Sequence, residues 1–395
     1  MKERKKILWL ASWYPNCNDA FDGDFIQRHA RAAAIFHDIH VIYVAETEMD
    51  QKTKTDWHHA TGLTEQIIYY KKQSGLFSRF KKFWKWKRIY QEAIQSYIEK
   101  NGLPDLVHVH VPWKAGLLAT WMKEKYGTPF IISEHWGIYD PSASDSFTKR
   151  PALTQKLLTD IYRGSSAFIT VSESLGNLVT DLTKVRFDRI IPNVVDTTQF
   201  HYKEGKYSRF SFIHVSNMVP LKNTGLIMEA FHELVKQGEE AQLIMVGNRD
   251  EKFPELAGSL GLLNQSVFFR GEISYNEVAE EMRRSHCFVL FSDAETFSCV
   301  TAEALCAGLP VITSRVGALP ELVHKGNGIL VKPGDRVGLT EAMKKMIRDY
   351  EQYDKLQIAN EAAAKYSYST ISELIDELYS TVSIGDIKAV EGRKD

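Results

Sequence analysis

The chain has little cysteine, four residues in 395, with no CxxC pair and no metal-ligand spacing. That leaves no basis for a disulfide framework or a structural zinc site and suits a reducing compartment. It lacks any run of about 18 apolar residues, the minimum for a membrane-spanning helix. Charge of one sign is also missing: 49 Lys and Arg face 50 Asp and Glu, so a net charge of −1 gives no global reason to expect nucleic acid as a partner. Internal repeats and low-complexity tracts are absent. Neither half carries a GxGxxG turn or a Walker loop, so nicotinamide and P-loop chemistry would lack their usual phosphate cradles. The start, Met1-Lys-Glu-Arg-Lys-Lys-Ile-Leu-Trp-Leu-Ala11, mimics a signal peptide, but its apolar stretch is short and runs into Ser12-Trp-Tyr-Pro15. A first β-strand explains it better, and the expected location is cytoplasmic.

What is present is a globular composition, 44% hydrophobic and 25% charged, on a chain too long for one ordinary core. Strand-like runs alternate with helical patterns from Ile7–Ala11 to Arg189–Ile191, and the alternation restarts at Phe210–Val215. This predicts an α/β fold: two doubly wound, Rossmann-like domains with ligand-binding strand ends facing across a cleft. The expected boundaries are an N-terminal domain over 1–195, an interdomain linker over 196–206 and a C-terminal domain over 207–367. A helix over 368–383 is expected to pack back on the N-terminal domain, and the polar tail 384–395 to fray.

The most informative stretch is Ser292-Asp-Ala-Glu-Thr-Phe-Ser-Cys-Val-Thr-Ala-Glu-Ala-Leu-Cys-Ala-Gly-Leu-Pro310. Cys287 to Phe291 reads as a buried strand. Ser298 reads as the cap of a helix that Gly308 ends and Pro310 prevents from resuming. Glu295 then lies in a loop and Glu303 inside the helix, leaning back toward a mouth where Cys299, Val300 and Thr301 present amides. Such a mouth binds anions. Two carboxylates beside it would repel a phosphate unless they accept hydrogen bonds from flanking hydroxyls, a layout that a nucleotide sugar has. A solvated loop charge and a surface helix residue are the plain alternative. Against it, Glu303 stands in an otherwise apolar helix, where a carboxylate needs a partner.

On these residues the chain resembles the retaining glycosyltransferases of family 4, which have the GT-B fold. Glu295-Thr-Phe-Ser298, Glu303-Ala304 and Gly308-Leu-Pro-Val311 match the family's Glu-x7-Glu phrase. Gly317-Ala-Leu-Pro-Glu-Leu-Val323 and Gly328-Ile-Leu-Val331 continue it in register. Ile191-Pro-Asn-Val-Val-Asp196 resembles the interdomain phrase, Val215-Ser-Asn-Met-Val-Pro-Leu-Lys222 the phosphate loop, and Asp105-Leu-Val-His-Val-His110 and Ser133-Glu-His-Trp136 the N-domain histidine segments.

The resemblance implies that 1–195 is the acceptor-side domain and 207–367 the nucleotide-sugar-binding one, and that Glu303 meets the ribose hydroxyls and Glu295 the donor sugar. Backbone amides of Phe297, Ser298, Cys299 and Val300 would touch sugar and diphosphate, Lys222 would neutralise the leaving phosphate, and His135 would lie near the reacting carbon. The helix mouth and an ammonium would stabilise charge on the leaving oxygen where it develops, so no metal and no cofactor are expected. The chain departs from the pattern where Asn217 and Val219 stand in place of a usual arginine, and where Val194, Ser298 and Ala318 replace common glycines.

Two further segments carry chemistry. Asp22-Gly-Asp24 is ordinary turn chemistry more than a manganese motif, with Asp24 expected as a helix cap and Gly23 as a point of close approach for a substrate. Lys71 to Arg88 holds eight cations and no acid among aromatics, with Phe77, Phe80 and Trp84 on one helical face. Such a helix either packs this face on its own domain or lies on an anionic membrane surface.

The reading is a metal-independent, retaining glycosyltransferase, taking sugar from a nucleotide donor, UDP above others, to a glycan or lipid-linked glycan in polysaccharide or envelope assembly. The site residues are Glu295, His135 and Lys222 as catalytic groups and Glu303, Phe297, Ser298, Cys299, Val300, Thr301, Lys222 and Gly23 as donor contacts. A nucleotide-sugar epimerase or hydrolase on the same plan, and a non-catalytic sugar-nucleotide sensor, are the alternatives.

Overall fold

The computed structural model describes residues 4–48, 53–72, 78–247 and 250–382, and for 78–80 the backbone alone. The chain divides into two compact units, the first holding the residues up to Val194 together with those from Ser369 on, the second Val195–Tyr368. Both are α/β layers around a largely parallel sheet.

The first unit has eight strands: β1 Lys6–Ala11, β2 Asp38–Thr47, β3 Thr53–Ala60, β4 Leu63–Lys71, β5 Leu106–His110, β6 Phe130–Glu134, β7 Ala167–Thr170 and β8 Arg189–Ile190, in the order β3-β4-β2-β1-β5-β6-β7-β8. The register sets Ile7 of β1 beside Ile39 of β2 and Leu106 of β5. Strands covered on both faces must be apolar throughout, and Ile7, Leu8, Trp9 and Leu10 are accordingly fully buried. The chain winds outward one way through β2 and the other way through β5. The crevice at the carboxyl ends of β1 and β5 is therefore the switch point where such sheets bind ligands.

The β3–β4 pair was not expected, because only parallel strands were read from the sequence. β3 runs antiparallel on the sheet edge, is mostly exposed and lacks an apolar face, so its periodicity is silent. The turn between the two strands is Thr61–Gly62, with Gly62 at φ +72°.

The helix Tyr368–Thr381 belongs to this unit from Ser369 on. Ile371, Ile375 and Leu378 are buried, the Tyr379 hydroxyl accepts from Trp9 Nε1 at 3.1 Å and meets His108 Nδ1 at 2.7 Å, and Asp376 pairs with His37 at 3.1 Å.

The second unit is a six-stranded parallel sheet: β9 Phe210–Ser216, β10 Ala241–Gly247, β11 Val267–Gly271, β12 Cys287–Leu290, β13 Val311–Ser314 and β14 Gly328–Val331, ordered β11-β10-β9-β12-β13-β14. Its switch point lies between β9 and β12, where Phe212 stands beside Cys287. The stretch 196–206, read as a linker, is held on this unit: Phe200 is buried, and Lys206 Nζ donates to the carbonyls of Arg283 and Ser285. The unit boundary falls at Val194/Val195. All four cysteines are free. Among the described residues no helix is long and apolar enough to cross a membrane.

Candidate active site

At the switch point of the second unit two loops are tied together. The loop after β9 ends in a 3-10 turn, Pro220–Lys222, and Asn223 at φ 48° starts the helix Thr224–Lys236. The loop after β12 leads into the helix Cys299–Cys306. Asp293 N donates to the Leu221 carbonyl at 2.9 Å, and Asn223 Nδ2 donates to Asp293 Oδ1 at 2.7 Å. Lys222 Nζ donates to Glu295 Oε1 at 2.5 Å, and Ser292 Oγ donates to the same oxygen at 2.7 Å. The lysine side chain is 18% exposed and the glutamate 9%, so the pair lies where charges interact strongly and where losing either partner strands the other. Beneath it, His214 bridges the Val289 carbonyl and Ser216 Oγ; burial lowers its pKa to about 4, so it is a neutral strut between β9 and β12.

The Glu295 backbone is gripped as tightly as its side chain. Ala318 N donates to the Glu295 carbonyl at 3.1 Å, and Gly317 lies so close that a Cβ there would sit 1.8 Å from that oxygen. Glycine at 317 is required by this contact and by its φ of +48°.

Ser298, expected to cap the next helix through its side chain, does not. It lies in a left-handed conformation, φ 78° and ψ 79°, with no side-chain cap bond, and its Oγ pairs with Thr301 Oγ1 at 2.8 Å. A cap needs extended backbone to aim its oxygen at the helix amides, and the positive φ aims it elsewhere. The left-handed turn is a conformation that glycine adopts more readily, and serine adopts it here at a local cost. Cys299, Val300 and Thr301 form the first turn, and Glu303 on the second is buried at 4% exposure. The Phe297 ring turns inward against Tyr366, 5.5 Å between centroids, which leaves its backbone as the part suited to a ligand.

His135 lies in the first unit, just past β6. Its Nε2 faces His110 Nδ1 at 3.2 Å, the two rings stack, and His29 and Phe25 flank it. Burial holds His135 and His110 well below the ordinary imidazole value and His29 at about 4, so the cluster is neutral. Nitrogens of these three rings lie within 4.8 Å of one another, and they form the group that could hold a transition metal among the described residues. Glu134 fixes the turn bearing His135: Oε1 accepts from the amides of His135 and Trp136, both at 2.8 Å, and Oε2 accepts from the hydroxyls of Tyr139 and Tyr162. Burial pushes its pKa up to about 7.

Gly23 is also in the first unit, whereas Glu295 belongs to the second. It precedes the helix Asp24–Ala33 at φ 63°, and a Cβ would lie 2.6 Å from the Trp13 carbonyl, so the close approach here is to the chain's own backbone. Asp24 falls in the first turn, paired with Arg28 at 2.9 Å, instead of capping. Of the basic segment, 73–77 and the side chains of 78–80, hence Phe77 and Phe80, lie outside the described residues; Trp84 is 51% exposed.

Sequence reasoning assigned no role to Asn223, Asp293, Gly317, Glu134 or His29. A glycine repeating the family phrase at 317 was a signal for one of them. Asn223, Asp293 and His29 act through partners far along the chain, whereas Glu134 holds its own turn and carries no residue-type signal for that role.

The residues 196–363 match the family model described as glycosyl transferases group 1, and 25–199 match Glycosyltransferase Family 4. The chain belongs to this glycosyltransferase family. The enzyme is 28% identical over 297 residues to the N-acetyl-alpha-D-glucosaminyl L-malate synthase of Bacillus anthracis, across 70% of this chain and 74% of that one. It is 21% identical over 413 residues to TuaC of Bacillus subtilis, named for teichuronic acid biosynthesis, across 96% and 99%. A solved structure of HepE from Anabaena, in complex with UDP-glucose, superposes with a TM-score of 0.69 at 16% identity, over 95% of this chain and all of that one, which shows the GT-B fold of this glycosyltransferase.

Proposed function

We propose that the enzyme moves a sugar from a nucleoside diphosphate sugar, with UDP as the nucleotide, to a glycan or lipid-linked glycan, retaining the configuration of the sugar and without a metal. The observation that carries this reading is the Lys222–Glu295 pair at the β9/β12 switch point, beside the opening turn of Cys299–Cys306. When the bond from the anomeric carbon to the diphosphate breaks, negative charge grows on the leaving oxygen. The Lys222 ammonium and the amides of Val300 and Thr301 stabilise that charge. Glu295, with one oxygen held by Lys222 and Ser292, uses its other oxygen to accept a hydrogen bond from the donor sugar. A carboxylate so engaged is a weak nucleophile, which favours front-face attack by the acceptor hydroxyl, its proton passing to the leaving phosphate. Glu303 accepts from the ribose hydroxyls. His135, held neutral, serves as a hydrogen-bond partner near the acceptor hydroxyl.

The UDP-glucose complex of HepE supports the choice of nucleotide, and the full-length similarity to TuaC supports a setting in envelope polysaccharide assembly. The first unit adds a basic face, with Lys71, Lys72, Lys85 and Arg88 against a single acid, Glu92, around one hollow and Trp84 exposed, which suits contact with anionic lipid. Sedimentation with liposomes tests that contact: binding should rise with anionic lipid, and equal binding to neutral vesicles removes it.

The site reading is tested by calorimetry with UDP and by turnover. Glu303→Ala should weaken nucleotide binding about tenfold, the loss of a charged hydrogen bond, and Glu295→Ala should lower turnover. Unchanged values in both variants would reject the assignment.

A further inference from the structure

The switch point of the first unit opens into a cavity of about 540 Å³, within the size range of small-ligand sites. It is built from the carboxyl ends of β1, β2, β4 and β5 and the turn after β6. Trp13, Trp113 and Trp136 wall it and are half-buried. The indoles are set in place: Trp13 and Trp136 meet edge to face at 5.7 Å, and the Arg150 guanidinium lies 4.7 Å from the Trp136 centroid and 5.6 Å from that of Trp113. Arg150 is itself paired with Asp145 at 2.6 Å, so its charge is already engaged.

Two residues of the rim, Val111 at φ 61° and Lys114 at φ 65°, sit in backbone conformations that cost free energy, and for a β-branched valine this is a true outlier. Strain of this kind persists where the surrounding structure holds a shape for use. Carboxylates supply the polar side. Asp19, Asp22 and Glu46 line the cavity against two cations, Lys114 and Arg150, an excess of one negative charge (two minus three). Asp22 is oriented by the Tyr43 hydroxyl and by Asn16 Nδ2, both at 3.3 Å, and Glu46 by Lys82 at 3.1 Å.

Indole faces carry negative potential and suit the weakly positive C–H face of a sugar ring, while carboxylates are acceptors that match hydroxyl donors. A phosphate or uronate would meet repulsion from the acids, with Arg150 committed to Asp145 and the Lys114 charge drawn to Glu46. We propose that this cavity holds the terminal residue of the acceptor as an uncharged, hydroxyl-rich sugar, one face on the indoles and its hydroxyls on Asp22 and Glu46, and that it discriminates against sugars bearing phosphate or carboxylate. The assignment of the ligand as acceptor rests on the glycosyltransferase reading above; the selectivity of the cavity does not.

The experiment is a tryptophan-fluorescence titration of the full chain. The neutral probes are methyl glucoside and methyl N-acetylglucosaminide, and the charged probes are glucuronic acid and glucose 6-phosphate. Neutral sugars should give saturable changes and charged ones none. Asp22→Asn, nearly isosteric, should weaken neutral binding about tenfold, one lost charged acceptor, and Trp136→Leu at least as much, with UDP affinity unchanged in both. Charged sugars binding as well as neutral ones would overturn the proposal, as would an Asp22→Asn protein that binds like the parent. No sugar binding in a parent protein that still binds UDP would sink the cavity's role and leave the donor reading standing. Sugar binding without any UDP binding would do the reverse.

Discussion

In the first unit the switch point between β1 and β5 is walled by indoles and rimmed by strained backbone, whereas in the second the switch point between β9 and β12 is closed by an ammonium–carboxylate pair. The winding of the two sheets is alike, so topology explains where each crevice lies and nothing about its chemistry. The chemistry comes from the loops. After β9 and β12 they bring together Lys222, Ser292 and Glu295, suited to charge that appears during a reaction. After β1, β5 and β6 they bring Trp13, Trp113 and Trp136, suited to a ring that only has to be held.

That contrast is broken most directly by Lys222→Ala. Removing the cation that meets the developing charge should cut turnover by about a hundredfold or more, yet leave the sugar titration of the first unit untouched. A mutant with near-normal turnover would show that the pair is structural. Gly317→Ala comes next. The added Cβ meets the Glu295 carbonyl at 1.8 Å and the backbone lies at positive φ, so the loop must shift. A loss of about 2–3 kcal/mol is expected in chemical unfolding, with turnover falling too because Glu295 moves. An alanine variant as stable as the parent would remove the contact from the account.

Acid sensitivity sharpens the comparison. His29 in the first unit and His214 in the second are each lowered to about 4 by burial. A folded value below the unfolded one gives stability that is complete above about pH 6.5 and is lost as pH falls toward 4, on the order of 3 kcal/mol for each ring. Glu134, raised to about 7 by burial, acts in the opposite sense in the first unit alone: its contribution is full below about 4.5 and is lost as pH rises to 7. Hydrogen exchange at pH 6.5, 5.5 and 4.5 should show the second unit loosening with acid, and the first loosening less, because there Glu134 opposes His29, His110 and His135. His29→Gln should lessen the acid-driven loss in the first, where His110 and His135 remain, and His214→Gln in the second, where His286 remains; a trend unaffected by either substitution would place the titrating groups elsewhere. The smallest effect belongs to Ser298→Gly, which relieves the left-handed serine but loses its bond to Thr301. A rise of about 2 °C in the unfolding midpoint is expected, and a fall would mean the hydroxyl pair outweighs the strain.

The second site was the more legible of the two in sequence because much of it is local. Strand, loop, Glu295, helix and Glu303 follow within twenty-odd residues, and each has a periodicity or a turn residue to mark it. Residues that depend on distant partners were not visible in the same way. Lys222 and Glu295 were named separately, but their pairing spans 73 positions. His29, His110 and His135 come from a helix, a strand and a turn that only the folded sheet brings together. The β3–β4 hairpin escaped because a solvent-facing edge strand carries no apolar alternation. Ser298 was misread as a side-chain cap because residue type suggests the role while backbone dihedrals decide it.

The Tyr379 hydroxyl that receives Trp9 Nε1 and meets His108 has a consequence for biosynthesis. On the ribosome, the nascent chain presents the opening strands hundreds of residues before the tyrosine that satisfies them. The contiguous Val195–Tyr368 unit emerges whole in between. The segment made first is therefore finished last, and a message that stops short of codon 379 yields a protein whose opening half has two buried polar atoms with no partner from that helix.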